Sequence, residues 1–475
     1  MSCPNPQPFG RPHRRQSPAG PGAPLPRRLL TLLTLASILA ACHLVEPPAP
    51  DDSPAPATTR LSLTHELDRL HAQNLPALFD AIGQSSDPPH DLRILQARDE
   101  AAAGLSPRLS SLLGAVISRF DGPHVTADAP WLHDFIHDWN AEMAALHQPY
   151  RLVHGLREHH GLYSFAPQFY RIVGVQEVRI EGQPYPVEWL QRLDSSSRAT
   201  PASFFDHAHP GARVFVDRAL HTIWNHLGPA LLATSSEHSP AARQALRDEL
   251  HAFLGADLDA LLKGITTYQS MTRHRADLDR LARRCGLPTP LPPLSPAGYP
   301  ASTLHRLQER LAPCPGLPDD AFTRLKRLNH ALQHDPHLQR ALQRLLQGLL
   351  SQQARAAATQ AHLHARYTAT GQRCQAPGCD ALRADQAAEV GAYLVATTSG
   401  ALPLTMLWML LEDHRYASAA AASHWLRALR DADITLNAPR PTRLRALATA
   451  HLGPLPPITA GSPPALRELP PPRPR

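Results

Sequence analysis

The sequence predicts a mainly α, α+β fold, a helical body with a small antiparallel β-meander. Three observations predict it: apolar residues recur near the helical period over most of the chain, the period shortens to two between 150 and 193, and aperiodic Pro-rich stretches interrupt the rest. Leu63, Leu67 and Leu70 open a helical pattern from Leu61 to Phe120, broken at Gly83–Ser86 and Gly104–Pro107. Ala129 to Leu146 reads as an amphipathic helix presenting Trp131, Phe135, Ile136, Trp139 and Met143. Alternation follows in Tyr150–His154 and Tyr163–Ile180, clearest from Ile172 onward. Glu181-Gly182 is a hairpin turn, and Tyr185–Leu190 the returning strand, which Pro186 confines to an edge.

A short extended piece at Ala212–Val216 leads into a helix through Leu231, then Pro240–Leu254 and a long helix to about Arg284. Thr303–Leu311 and Asp319–Gln333 come next. Asp335-Pro336, a cap and first-turn pair, restarts the chain as a long helix to about Thr368. Asp385–Ser399, Leu402–Glu412 and Ala417–Ala432 are further apolar helices. The organisation is then a signal at 1–41, a tether at 42–59, a helical region at 60–284, a Pro-rich disulfide-closed loop at 285–316, a second helical region at 317–452, and a disordered Pro-rich tail at 453–475.

Arg27-Arg28 precedes a short apolar run from Leu29 to Ala41, ending in small residues. A positive segment, a short apolar core and a small-residue cleavage site make a secretory signal; a membrane span needs about 20 apolar residues. Leu39-Ala40-Ala41-Cys42 resembles the lipobox of bacterial lipoproteins. That resemblance implies cleavage before Cys42 and diacylation of its thiol, hence a membrane partner through the lipid and a place in the cell envelope. By the same family's sorting habit, His43 rather than Asp after the cysteine implies the outer membrane in a Gram-negative cell. His43–Thr59, rich in Pro, Ala and Asp, is an extended tether.

Charge argues against a nucleic-acid partner. The formal net charge is +6, but residues 1–41 hold five arginines and no acid, and the tail from Gly453 carries a further +2. The folded part is left near −1, with no dense Lys/Arg run of the kind that tracks phosphates.

Without Cys3 and Cys42, four cysteines remain in an oxidising compartment, an even number that suggests disulfides. Local pairing, Cys285 with Cys314 and Cys374 with Cys379, is the expected connectivity of three. Pro377-Gly378 suits a type II turn that folds Cys374 and Cys379 together, and the first pair staples a segment poor in regular structure. The chain-entropy model assigns roughly 2 kcal/mol to the small loop and about 3.5 kcal/mol to the larger. The rival for the second pair is zinc, held by Cys374 and Cys379 with His362 and His364, the latter ten residues before Cys374.

Histidines one helical turn apart occur at His133/His137 and His330/His334, but 28 histidines in 475 residues produce roughly one or two such pairs by chance. Both pairs are read as packing and surface histidines, and Asp206–Gly211, with His207 and His209, as a polar turn. Gln360-Ala361-His362-Leu363-His364, with Glu389 25 residues beyond His364 on a later helix, is similar in layout to the gluzincin metallopeptidases. There, two histidines and a general-base Glu share one helix and a third ligand lies on another. Gln360 stands at the first ligand position and Ala361 at the base, so the resemblance implies a degenerate core that has lost catalysis, with His364 and Glu389 as the surviving metal candidates. The bland alternative is two packed helices burying Glu389 and Tyr393. No Gly-rich phosphate loop or Gly-x-Ser-x-Gly elbow is present. The functional expectation is a lipid-anchored envelope protein that binds or scaffolds a partner, with no catalytic residue and no cofactor; the alternative is an envelope zinc hydrolase using His364 and Glu389.

Overall fold

A computed structural model describes residues 67–466 apart from 83–84, 86, 121–129, 155, 160–161, 166, 194–204, 207–211, 233–238, 288–293, 295–297, 300, 315–319, 372–377, 414–417 and 455–456. The expected signal, Cys42 and the whole expected tether therefore lie outside the described residues, as do Cys374, His207 and His209. The fold is mainly α with one small mixed sheet.

Helices α1 (Leu75–Ile82), α2 (Leu92–Ala102), α3 (Pro107–Ile117) and α4 (Pro130–Ala145) open the chain. Their apolar stripes bury Leu75, Leu78, Ile94, Leu113 and Trp139 against Tyr150, Leu152 and Phe169. Ser106 caps α3 through the Leu109 N–H with Pro107 at the first turn, which is why the chain breaks where Gly104–Pro107 predicts.

The sheet follows: β1 (Tyr150–Val153), a separate hairpin of β2 (Leu156–His159) and β3 (Leu162–Phe165), then β4 (Gln168–Ile180), β5 (Gln183–Arg192), β6 (Phe205–Asp206) and β7 (Ala212–Phe215). Strand order is β1-β4-β5-β7-β6. The expected antiparallel meander is its β1-β4-β5 part, and Glu181 and Gly182 make the turn with φ of 53° and 83°, both positive as a type I′ hairpin requires. The sheet as a whole is mixed rather than antiparallel, because β7 pairs parallel to β5 from Val187↔Ala212 to Leu190↔Phe215. All four β7 residues are buried, the signature of a strand covered on both faces. Pro186 pairs with Glu177 just before the β7 ladder begins, so the proline falls on the part of β5 that β7 does not cover.

From β7 the chain turns into α5 (Val216–Thr222), α6 (Gly228–Leu231), α7 (Pro240–Leu254) and α8 (Asp257–Arg284). Next come α9 (Ala301–Leu311), α10 (Ala321–His334), α11 (Pro336–Thr370), α12 (Ala384–Thr398), α13 (Pro403–Asp413), α14 (Ala419–Asp431) and α15 (Pro441–Leu452). Cys285 and Cys314 form the expected disulfide, Cα–Cα 5.6 Å, between the end of α8 and the end of α9. The long helix α11 is the spine: it packs on α8, on α12 and on the sheet. Small residues let α11 and α12 approach closely. A Cβ at Gly391 would overlap the Leu363 side chain, and Ala356, Ala357, Ala388 and Ala392 are fully buried.

The tail departs from expectation. Ile458–Ala460 forms β8, antiparallel on β4 at Val178–Ile180, Gly461 donates to the Glu177 carbonyl at 2.8 Å, and Pro464 packs over Gly174. The physical reason is an open edge: β1 covers only Gln168–Arg171 of the 13-residue β4, and Ile458-Thr459-Ala460 supplies the missing pairing partner. Disorder predicted from Gly453 is thus corrected for 457–466. The described residues belong to one compact unit, and among them no helix is long and apolar enough to cross a membrane.

Candidate metal centre

Three ligand-type side chains converge at the C-terminal helices: Cys379, His424 and His451. Cys379 opens a single 3-10 turn (Cys379–Ala381) just before α12. Gly378, with φ 83° and ψ −3°, holds the dihedrals of the third residue of a type II turn, the conformation expected of Pro377-Gly378. His424 lies midway along α14 and His451 near the end of α15. Both helices pack on α12, so the spine's partner helix sets all three positions.

The geometry is tight. His424 Nε2 and His451 Nε2 are 3.3 Å apart, and Cys379 Sγ is 3.8 Å from His424 Nε2. One ligand atom from each of the three lies within 4.8 Å of the others. Tetrahedral zinc, with bonds of about 2.0–2.1 Å to nitrogen and 2.3 Å to sulfur, places two nitrogens about 3.3 Å apart and sulfur about 3.6 Å from nitrogen. The first two separations already fit. Cys379 and His451 are fully buried, and His424 is half-buried.

Orientation also fits. His451 Nδ1 donates to the Leu447 carbonyl at 3.0 Å, which leaves the Nε2 lone pair directed into the cluster, as metal-binding imidazoles are commonly oriented. Burial lowers the pKa of both imidazoles, with Arg427 adding to the effect at His424 and His424 at His451 against the opposing Leu447 carbonyl. Both rings are thereby held in the neutral, ligand-competent form. Cys379 itself is disulfide-bonded, with its partner outside the described residues.

The other sequence candidates are placed differently. His362 does not meet Cys379: its Nδ1 shares a hydrogen bond with the Tyr185 hydroxyl at 3.0 Å, and its Nε2 lies 3.8 Å from Glu181, both on the β4–β5 hairpin. The imidazoles that meet Cys379 are His424 and His451, not His362 and His364. His364 and Glu389 join no group of three ligand side chains among the described residues. Glu389 accepts hydrogen bonds from the Tyr393 hydroxyl and, at 3.2 Å, from the Ser418 N–H. Ser418 is the cap of α14, so Glu389 fixes the start of the helix that carries His424. This is the bland alternative of a buried Glu389–Tyr393 pair, with a positioning role added. His133 stacks on His154 at 5.2 Å, and His330 meets His334 edge-on at 4.5 Å.

His424 and His451 carry no local signal. They sit 45 and 72 residues beyond Cys379, in unremarked sequence, and only the packing of α14 and α15 on α12 brings them together. Comparison with known proteins returns no match: no family model, no curated protein and no solved structure matches this chain.

Proposed function

We propose that this chain is a lipid-anchored cell-envelope protein that binds rather than transforms its ligand, and that one ligand is a zinc ion held by Cys379, His424 and His451. The observation that carries the zinc reading is the convergence of three ligand-type side chains, with 3.3 Å between the two Nε2 atoms and 3.8 Å from sulfur to the nearer nitrogen, close to the separations of a tetrahedral centre. The anchor reading is supported by Leu39-Ala40-Ala41-Cys42 after its apolar run, and by the Pro-rich tether before the folded body. A binding role is favoured over hydrolysis because the Glu389 carboxylate is spent on Tyr393 and Ser418, where it supports α14. An envelope partner protein would then meet the helical body at the reach of the tether.

Intact mass of the membrane-extracted protein tests the anchor, with and without Cys42→Ala. A mature species beginning at Cys42 with added acyl mass, lost in the variant, is the expected result. A full-length unmodified product in the soluble fraction would overturn the envelope assignment and return the cysteines to a reducing compartment.

A further inference from the structure

The three ligand atoms converge on a sulfur that is already committed. Cys379 is disulfide-bonded, fully buried, and 3.8 Å from His424 Nε2. A disulfide sulfur is not the thiolate that zinc binds. The Cys379 sulfur nevertheless stands 3.8 Å from His424 Nε2 and within 4.8 Å of the His451 ligand atom, close to the about 3.6 Å that a bound ion requires between sulfur and nitrogen. Releasing Cys379 from its bond would free its side chain to turn toward both imidazoles. His424 and His451 need no such release, since their Nε2 atoms already stand at the bound spacing.

We propose that thiol–disulfide exchange at Cys379 switches this site: oxidised, Cys379 is locked away from the metal; reduced, it completes a Cys-His-His zinc centre with one position left for an exogenous ligand. The inference rests on the zinc reading of the same three residues.

The chemistry balances with a dithiol as reductant. One thiolate of the dithiol attacks the sulfur bonded to Cys379, the S–S bond breaks, and Cys379 departs as a thiolate beside His424. The second thiol of the reductant resolves the mixed disulfide, so the reductant leaves oxidised by two electrons and the former partner of Cys379 leaves as a thiol. The Cys379 thiolate and two neutral imidazoles then donate their lone pairs to Zn2+. Metal and disulfide compete for one sulfur, so zinc resists reoxidation and reoxidation expels zinc.

Cobalt(II) titration of the full chain tests this, because a thiolate on cobalt produces a sulfur-to-metal charge-transfer band that imidazole alone does not. The protein is titrated oxidised and after reduction by a phosphine, with mass confirming the opened disulfides. A second route leaves Cys285–Cys314 intact: Cys374→Ser removes the partner that the sequence predicts for Cys379. The expected result is one equivalent of tetrahedral cobalt with the sulfur band in the reduced protein, and in Cys374→Ser without reductant. Binding should be roughly 100-fold or more tighter than in the oxidised protein, and the band should be absent in His424→Ala, whose half-buried side chain can be lost without opening the core. Equal binding in both redox states without the sulfur band would overturn the switch and leave a metal site. No stoichiometric binding in any state, Cys374→Ser included, would overturn the zinc reading itself.

Discussion

At the scale of single residues, the interior polar groups explain more than the motifs do. Glu389 stood out in the sequence as a possible third ligand, and its burial was legible from the apolar run around it. Its partners were not, because Ser418 belongs to another helix. His71 carried no motif at all, yet it is fully buried, stacked on Tyr150 at 4.1 Å, with Nδ1 donating to the Leu67 carbonyl at 2.8 Å. Burial lowers its pKa from 6.5 to about 4, against the opposing pull of the Leu67 carbonyl and Asp68. Between those values the unfolded chain binds a proton at this position and the native chain does not. Stability therefore rises with pH across that window and is lost as pH falls from about 6.5 toward 4, at about 1.4 kcal/mol per pH unit, or about 3 kcal/mol in all. Urea unfolding across this range should show that slope and His71→Phe should flatten it; equal slopes for the two proteins would refute the assignment.

At the scale of elements, local chemistry was readable wherever it was complete within a few residues. Asp335-Pro336 is the clearest instance. The Asp335 carboxylate accepts from the N–H groups of His337 at 3.0 Å and Leu338 at 3.2 Å, starting the 35-residue α11 where the sequence predicts. Asp335→Ala should cost about 1 kcal/mol, and Asp335→Asn much less, in thermal or denaturant unfolding. Equal losses from both would mean that charge, not capping, matters here. Glu181-Gly182 was legible for the same reason. What was hidden depended on non-local pairing: β7 joins β5 in parallel across an intervening segment, and β8 returns from the chain's end to fill the β4 edge. A Pro-rich composition around Ile458-Thr459-Ala460 masked three residues whose role is set by an unpaired strand nearly 300 residues earlier.

At the scale of the whole molecule, two large cores and a small third one of Val153, Tyr170, Leu190 and Phe215 share one sheet among the described residues. The first joins α1–α4 to β1 and the start of β4, and the second surrounds α11. The candidate centre is built by three segments of the last hundred residues, two of them helices that pack on α12. The fold class followed from periodicity alone. The centre did not, because its ligands are neighbours only after α14 and α15 dock on α12. On the proposed reading anchor and centre would constrain each other: an envelope location would favour the oxidised Cys379, so metal loading there would report the supply of reductant.

X-ray absorption at the zinc edge of the reduced, zinc-loaded protein is the decisive measurement for the proposed centre. A centre of Cys379, His424 and His451 should show sulfur at about 2.3 Å together with two imidazole nitrogens at about 2.0 Å, the sulfur shell disappearing in Cys379→Ser. A shell of nitrogen and oxygen alone, unchanged by that substitution, would contradict it.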